Sequence, residues 1–424
     1  MGAHQEHGTN MMDLYRVDQQ LVSNPLADIA GAVHQQLSSL NRPVPQGDVA
    51  LTVGSRGIRN LPEIVRACGD WLKARGAKPF IVPAMGSHNG ATAEGQQSMI
   101  ESLGITEAAM GMPIRSSMDV VEIGRVRTGP VYMDRHCLES AGVLVINRIK
   151  LHTCFAGPVQ SGLTKMMVVG MGKILSARTF HSARAGAMKD MLLEMGQFVL
   201  DSGRIYAGLG ILEDGFDETA EVHAIAPENI LQREAELLEH YRSYFPRLPV
   251  DDLNVLIVDA IGKTYSGTGM DTNVIGRRGL PGFEDLTSPR IRTIAALSLS
   301  TSSQGNALGV GNADFITHGL RKDIDEYKTL VNTLTTGDMD RAKIPATVSD
   351  DETLLQIIAD RYGIHRWMFI PNTLHLNALF VSEDLREELS RHPGCRVASV
   401  PTPLSFHGKR LQLPFTNPAA GTHS

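Results

Sequence analysis

The pattern that most constrains this chain is a strand–helix–strand unit near its beginning. Residues 48–53 form an apolar run that ends in the turn Gly54-Ser55-Arg56-Gly57. Helical spacing follows over 61–75 and stops at Gly76, and 79–83 predicts the next strand. Because a strand–helix–strand unit of this length is typical of parallel sheets, we expect an α/β protein.

Further apolar runs predict more strands of the same kind. The run 142–147 is continuous, as expected of a strand buried on both faces, and 253–259 repeats the pattern. Additional strands are predicted at 293–299, 309–310 and 378–381.

The length of 424 residues predicts two domains, because it exceeds what one ordinary core accommodates. The segment Pro246-Arg-Leu-Pro249 marks the expected boundary. Residues 1–248 would form an N-terminal α/β domain with the candidate site, and residues 249–424 a C-terminal α/β domain whose tail can return to the first. We expect two Rossmann-like domains with a ligand cleft between them.

Composition and charge exclude several classes of function. The formal net charge of -6 provides no basic surface for nucleic acid. The 4 cysteines form no CxxC pair, which argues against a zinc ribbon, an iron–sulfur cluster or a disulfide framework. No apolar run reaches the roughly eighteen residues of a membrane-spanning helix. We expect a protein of the reducing cytoplasm that binds neither nucleic acid nor membrane.

Three polar turns follow predicted strands, at 54–60, at 86–92 and in the segment that starts at His152. Ligands of doubly wound α/β domains bind beyond the carboxyl ends of the strands, so we expect these turns to meet at one edge of the sheet. The third segment holds two imidazoles and an amine, and the second holds His88 between small residues.

Each of these side chains also has an ordinary structural explanation. His88 can bond its own loop, and His152 can be a satisfied core or hinge residue. Lys165 lies among apolar residues, where a lysine tends to lose its proton and become a nucleophile, or extends to solvent from an amphipathic helix. Gly170-Met-Gly-Lys173 is expected either to allow close backbone approach to a cofactor or to end a helix.

Arginines in both halves are candidates for binding an anion. Arg56 lies in the first strand-end turn, where a guanidinium can hold a carboxylate or phosphate with two parallel hydrogen bonds. Arg277 and Arg278 follow the glycine- and hydroxyl-rich segment 265–273. That pair forms either a solvated loop edge or an anion contact.

On these residues the chain resembles the nickel-dependent lactate racemase family, whose enzymes carry a nickel-pincer nucleotide. This cofactor is a pyridinium mononucleotide that holds nickel through one carbon and two sulfur atoms. The family shows a histidine, a Phe-Ala-Gly step, a lysine and a further histidine, in that order. The matching residues here are His152, Phe155-Ala156-Gly157, Lys165 and His181.

The resemblance implies how such a cofactor would be held. Lys165 would bind it covalently, and His181 would complete the coordination of nickel. Thr164 and Arg56 would be further cofactor contacts. One imidazole beside the carbon and sulfur donors suits the square-planar field that nickel(II) favours.

The resemblance also implies the catalytic residues. His88 and His152 would be the acid/base pair, one on each face of the substrate, and Arg56 would bind the substrate carboxylate. No side chain accepts the hydride that such an inversion removes from carbon, whereas the cofactor can. A histidine pKa near neutrality suits both proton transfers. Arg277 and Arg278 are candidate contacts to a bulkier or second carboxylate.

The chain departs from the family pattern in both halves. Val53-Gly-Ser-Arg56 lacks the acid that precedes the arginine in lactate enzymes. Asp271-Thr-Asn273 is followed by Val-Ile-Gly-Arg-Arg278, without the family's aromatic-Gln pair and lysine. A 2-hydroxy acid other than lactate is therefore the expected substrate.

The resulting prediction is an isomerase, a racemase or epimerase of a 2-hydroxy acid that works by reversible hydride transfer. Its expected partners are that small molecule and the enzymes that make the cofactor. Two alternatives stay open: a relative that uses the cofactor for net oxidation, and a non-catalytic binding or sensor protein of the same fold.

Overall fold

The structure of the protein, a computed structural model, describes residues 11–55, 57–182, 185–280, 284–336 and 339–415. The chain divides into two compact units. One is Val22–Phe245, and the other joins the residues up to Leu21 to those from Pro246 on. Each unit contains a mixed sheet and helices, so the predicted α/β class is confirmed.

The strands of the described residues are numbered in chain order. They are β1 (Asp13–Gln19), β2 (Gly47–Val53), β3 (Ala77–Pro83), β4 (Val120–Val126), β5 (Gly129–Asp134), β6 (Gly142–Arg148), β7 (Ile205–Glu213), β8 (Thr219–Ile225), β9 (Asp252–Ile261), β10 (Arg290–Leu299), β11 (Phe315–Thr317), β12 (Ala346–Val348), β13 (Trp367–Ile370), β14 (Ala378–Ser382), β15 (Cys395–Val397), β16 (Thr402–Pro403), β17 (Ser405–His407) and β18 (Arg410–Gln412).

The α-helices are numbered in the same way. They are α1 (Ile29–Ser39), α2 (Leu61–Lys73), α3 (Ala93–Ser102), α4 (Glu107–Met110), α5 (Arg135–Glu139), α6 (Leu163–Lys165), α7 (Lys173–Ser182), α8 (Ala185–Asp201), α9 (Ile230–Tyr241), α10 (Thr272–Ile275), α11 (His318–Asp323), α12 (Glu326–Thr336), α13 (Asp351–Tyr362) and α14 (Glu383–Ser390). A short π-helix, Met166–Gly170, continues α6.

The sheet of the unit Val22–Phe245 has the strand order β3-β2-β6-β7-β8 among the described residues. The first four strands pair in parallel, and only β8 runs antiparallel, next to β7. Strands β2 and β6 are continuous apolar runs because both faces of the sheet are covered, as parallel sheets require.

Alternate residues of β2 and β6 face two different cores. Val49 and Leu51 pack with α1 and α2 on one face. Val143 and Val145 pack with the π-helix, α8 and α9 on the other. This alternation follows from the two-residue period of a strand, and it places the segment that carries Lys165 against the second face.

Strand β2 lies between β3, which follows it in sequence, and β6, which lies on its other side. The chain passes from β2 to β3 on one side and from β6 to β7 on the other, and this reversal opens a crevice beyond the carboxyl ends of β2 and β6. The turn that begins at Gly54 and the segment that contains His152 both start at this edge.

The other unit has the order β12-β11-β10-β9-β13-β14-β1-β15 among its described strands, with β16 also paired to β1. Strands β9 to β13 pair in parallel, whereas β14, β1 and β15 are antiparallel. The N-terminal strand β1 was not predicted from the sequence. It completes a sheet whose other strands follow Pro246.

The strand predicted at 309–310 is wrong. Gly309 has a left-handed φ of 99°, and Val310–Asn312 forms a 3-10 turn. A Cβ at Gly309 would lie 1.6 Å from the carbonyl oxygen of Thr268, so this glycine serves a close approach of two backbones. Among the helices of the described residues, none has the length and apolar character that crossing a membrane demands.

Candidate functional site

The three polar turns predicted to meet are in contact at the carboxyl edge of the sheet. Ser55 Oγ and His88 Nδ1 share a hydrogen bond between the first and second turns. The N–H of Gly86 donates to the carbonyl oxygen of Gly170 at 3.4 Å, which links the second turn to the π-helix. The predicted convergence is thus present within the unit Val22–Phe245.

Glycine allows the π-helix to approach the second turn so closely. A Cβ at Gly170 would lie 2.8 Å from the carbonyl oxygen of Ala84 and 2.6 Å from Met166 Sδ. The helix closes there with an i+5 bond from Met171 N–H to the Met166 carbonyl, and such π-turns are frequent at functional sites. In the structure, the close approach that the sequence predicted at Gly170 is made to the backbone carbonyl group of Ala84.

His152 and Lys165 lie side by side, with 2.5 Å between His152 Nε2 and Lys165 Nζ. His152 precedes α6 on a loop after β6, where its own N–H donates to Gln160 Oε1 at 2.7 Å. Lys165 ends α6. Two of the residues predicted to act together are thus in direct contact.

The hydrogen bonds of His152 indicate which atom carries its proton. The N–H of Cys154 donates to His152 Nδ1 at 3.0 Å, so Nδ1 is an acceptor. A neutral imidazole then carries its hydrogen on Nε2, facing Lys165 Nζ. This tautomer places the Nε2 hydrogen toward the Lys165 amine, which is a nucleophile in its uncharged form.

His181 lies near the same amine, close to the C-terminal end of α7. Burial lowers the pKa of His181 to about 4, and a positive charge on Lys165 is the smaller cause. Because burial dominates, the ring is neutral at neutral pH. A neutral imidazole is the form that binds metal ions.

Two phenylalanines line the space between these polar groups. The Phe155 ring lies 4.5 Å from the His152 ring and 6.0 Å from the Phe180 ring. Phe180 in turn lies 5.5 Å from the His181 ring, edge to face. Both phenylalanines are buried, so the imidazoles are oriented by apolar packing as well as by hydrogen bonds.

His88 is exposed at the end of the second turn. Its contact with Ser55 depends on the tautomer: the serine hydroxyl either donates to Nδ1 or accepts from it. Ser55 directly precedes Arg56, in the stretch Val53-Gly-Ser-Arg56 that lacks the acid found shortly before this arginine in the lactate enzymes of the family. Here a hydroxyl orients His88.

Thr164, a predicted cofactor contact, is fully buried. Both its N–H and its hydroxyl donate to Glu234 Oε2, at 2.8 and 2.6 Å. These bonds give the side chain a structural role, and a cofactor contact stays a prediction. Arg56 lies outside the described residues, so its predicted roles also stay predictions.

Arg277 and Arg278 belong to the other unit, after α10. The Arg277 guanidinium donates to the carbonyl oxygens of Asn312, Ile291 and Arg292 and forms an ion pair of 2.8 Å with Asp314. These partners account for Arg277 without a ligand. The backbone N–H of Arg278 donates to an Asp285 oxygen at 2.8 Å. Substrate contacts for this pair remain predictions.

Lys173 joins the segments that carry the candidate residues. Its amine is fully buried and donates to the carbonyl oxygen of Pro83, and it lies 3.2 Å from Gln96 Oε1 and 3.3 Å from Asp134 Oδ2. Gln96 also donates to the carbonyl oxygen of Gly86 at 2.9 Å. One buried amine thus connects the start of α7 to the turn that carries His88.

Sequence reasoning missed Lys173 and Glu234 as parts of this site. Lys173 has a left-handed φ of 52° after the Gly170-Met-Gly172 step, and that step was the only local signal. Glu234 lies on α9, far along the chain from Thr164, and nothing near it in sequence marks the contact.

Within the part of the chain that the structure describes, no group of three or more His, Cys, Asp or Glu side chains could hold a metal ion. The metal-binding role of His181 stays a prediction.

No protein-family model and no curated protein matches the chain. Among solved structures it is similar to the lactate racemase apoprotein from Thermoanaerobacterium thermosaccharolyticum. The two share 12% sequence identity with a TM-score of 0.49, over 84% of this chain and 94% of that chain. We therefore base the proposed function on the geometry of the site.

The titration of Glu234 provides a test of this local structure. Burial raises the pKa of Glu234 to about 7, although the hydrogen bonds from Thr164 lower it. Above the unfolded value of 4.5 the folded protein binds more protons than the unfolded chain, so stability falls as the pH rises. Relative to Glu234→Gln, the wild-type free energy of unfolding should fall by roughly 3 kcal/mol between about pH 4.5 and about pH 7.

Denaturant unfolding of both proteins across this range measures the difference. The matched control is Glu239→Gln, at an exposed position. The difference in free energy of unfolding between this variant and the wild type should stay nearly constant over the same pH range. A pH-independent difference for Glu234→Gln would show that Glu234 titrates normally.

Proposed function

We propose that this protein is a racemase or epimerase of a 2-hydroxy acid that works with a nickel-pincer nucleotide. The observation that carries the proposal is the contact between His152 and the Lys165 amine, with neutral His181 nearby. A nucleophilic amine, a metal-binding imidazole and an acid/base imidazole are the three groups that such a site requires.

The residues present fit this cofactor. Lys165 would form an amide-type bond to a thioacid arm, and its amine lies in direct contact with the His152 imidazole. His181 would supply one imidazole, which suffices because the cofactor brings its own carbon and sulfur donors. When bound, the cofactor accepts a hydride from the substrate carbon and returns it.

His152 and His88 would handle the proton of the substrate hydroxyl. A general base must present a bare nitrogen, so His152 would accept the hydroxyl proton at Nε2 with its other hydrogen on Nδ1. His88 would perform the same task from the other face, with its ring held by Ser55. Return of the proton from either imidazolium completes the inversion.

Substrate binding would rest on Arg56, whose guanidinium can hold a carboxylate with two parallel hydrogen bonds. Arg277 and Arg278 stay candidates for a second carboxylate. A screen of chiral 2-hydroxy acids with the loaded enzyme would identify the substrate.

Mass spectrometry tests the attachment. After co-expression with the enzymes that make the cofactor, the purified protein should carry a nucleotide adduct on Lys165 and one bound nickel. Lys165→Met should abolish the adduct, whereas changing the exposed Lys189 to Met should leave it intact. An unmodified wild-type protein would contradict the proposal and favour the non-catalytic alternative.

The histidine pair makes a separate prediction. His88→Ala or His152→Ala should lower enantiomer interconversion by at least about 100-fold, because each removes one proton-transfer group. Nickel content should stay unchanged in both variants. Chiral chromatography of the products measures the rate, with exposed His407→Ala as the control. Racemisation at the wild-type rate in either variant would rule out the two-face arrangement.

Attachment at Lys165 should also change the tautomer of His152. With a free Lys165 amine the Cys154 bond leaves the imidazole hydrogen on Nε2, whereas an acylated nitrogen is a donor toward Nε2, so the imidazole hydrogen should move to Nδ1 and the Cys154 bond should be lost. Ring-nitrogen NMR of histidine-labelled protein, assigned with His152→Gln, compares protein with free and with acylated Lys165. A hydrogen that stays on Nε2 after acylation contradicts this assignment.

A further inference from the structure

Glu234 is a fully buried carboxylate in contact with Thr164, the residue before the candidate attachment residue. It projects from α9, and one of its oxygens, Oε2, accepts both hydrogen bonds from Thr164, the residue before Lys165. The N–H of Thr164 lies in the first turn of α6, where a helix provides no partner of its own. Glu234 therefore determines how the helix that carries Lys165 begins.

Gly162 has no side chain, and this leaves space for the Glu234 carboxylate. A Cβ at that position would lie 2.0 Å from Glu234 Oε1, so any larger residue would displace the acid. From the opposite side, Asn147 Nδ2 donates to the carbonyl oxygen of Gly162 at 2.8 Å. The segment Gly162-Leu-Thr-Lys165 is thus held by β6 on one side and by α9 on the other.

Keeping an acid at this place is costly for folding. An uncharged, well-packed side chain would avoid the desolvation of a carboxylate, which here forms hydrogen bonds only through one oxygen among the described residues. Features that cost folding stability, such as a buried carboxylate, concentrate at functional sites. The nearest chemical group that Glu234 can influence through Thr164 is the amine of Lys165.

We propose that Glu234 is a positioning residue that, through Thr164, holds Lys165 against His152 and so sets the reactivity of the Lys165 amine toward acylating groups. The inference deepens the proposed function, because Lys165 is the attachment point there. It concerns the protein without its cofactor, however, and can be tested on that form. Displaced from His152, the amine would react like that of an exposed lysine, which is a nucleophile only through its small uncharged fraction.

The experiment measures acylation of individual lysines by N-hydroxysuccinimidyl acetate, followed by peptide mass spectrometry at neutral pH. Exposed Lys78 serves as the internal reference. Thr164→Val removes the hydroxyl bond to Glu234, and Thr164→Ser, its matched control, keeps that bond. Glu234→Ala removes both bonds, whereas Glu234→Gln keeps an oxygen that can accept them.

Thr164→Val, which loses one hydrogen bond to a charged group, should slow acylation of Lys165 by about tenfold, and Glu234→Ala, which loses both bonds, should slow it by at least as much. Thr164→Ser and Glu234→Gln should stay within about twofold of the wild type by the same measure, and Lys78 should react equally in every protein. If Glu234→Ala does not fold, the Val and Ser pair at Thr164 decides the outcome.

Two results would overturn the inference. One is acylation of Lys165 at the wild-type rate in folded Thr164→Val. The other is an equal loss in Thr164→Val and Thr164→Ser, which would mean that packing, and not the bond to Glu234, matters. Failure of the racemase proposal would show instead in the enantiomer and adduct assays, because the acylation assay contains neither cofactor nor substrate.

Discussion

The parallel alignment of β2, β3 and β6 is the constraint on which the candidate site depends. Strands that run in the same direction end at the same edge, so the turns that follow them meet whatever their distance in sequence. The bond between Ser55 and His88 and the contact of Gly86 with Gly170 are consequences of this alignment. Short polar turns are therefore enough to form the candidate site, because the parallel strands bring these turns together at one edge of the sheet.

Buried charged groups reinforce that edge. Lys173 with Asp134 joins the start of α7 to β3 and β5, and Glu234 joins α9 to α6. A second ion pair, Arg148 with Glu213, lies where β6 and β7 end, and Glu213 also accepts the backbone N–H of Arg59 at 2.8 Å. Each pair ties a loop of the site to a strand or helix with rigid packing, at an energetic cost that an apolar core would avoid. Removing one partner from such a pair leaves an uncompensated charge, so these positions tolerate little change.

How far the sequence predicts this structure depends on whether the signal is local. Continuous apolar runs predicted β2, β6 and β9, because a strand that is buried on both faces carries apolar residues at successive positions. The strand predicted at 309–310 was wrong because the conformation of Gly309 depends on its close contact with the carbonyl group of Thr268. Thr268 lies far from Gly309 in sequence, so no local pattern reveals this contact. Strand β1 and Glu234 were missed for the same reason, since the partners of both lie far along the chain. The resemblance pointed to His152 and Lys165, but only coordinates could show that they touch.

The place of β1 in its sheet has a consequence for biosynthesis. Asp18 pairs with Ala378, and Val17 pairs with Val397, so β1 is synthesised long before the strands with which it pairs. The unit Val22–Phe245, whose strands lie in one uninterrupted stretch, can complete its sheet while translation continues. Until those strands are made, β1 has unpaired edges that could pair with another chain.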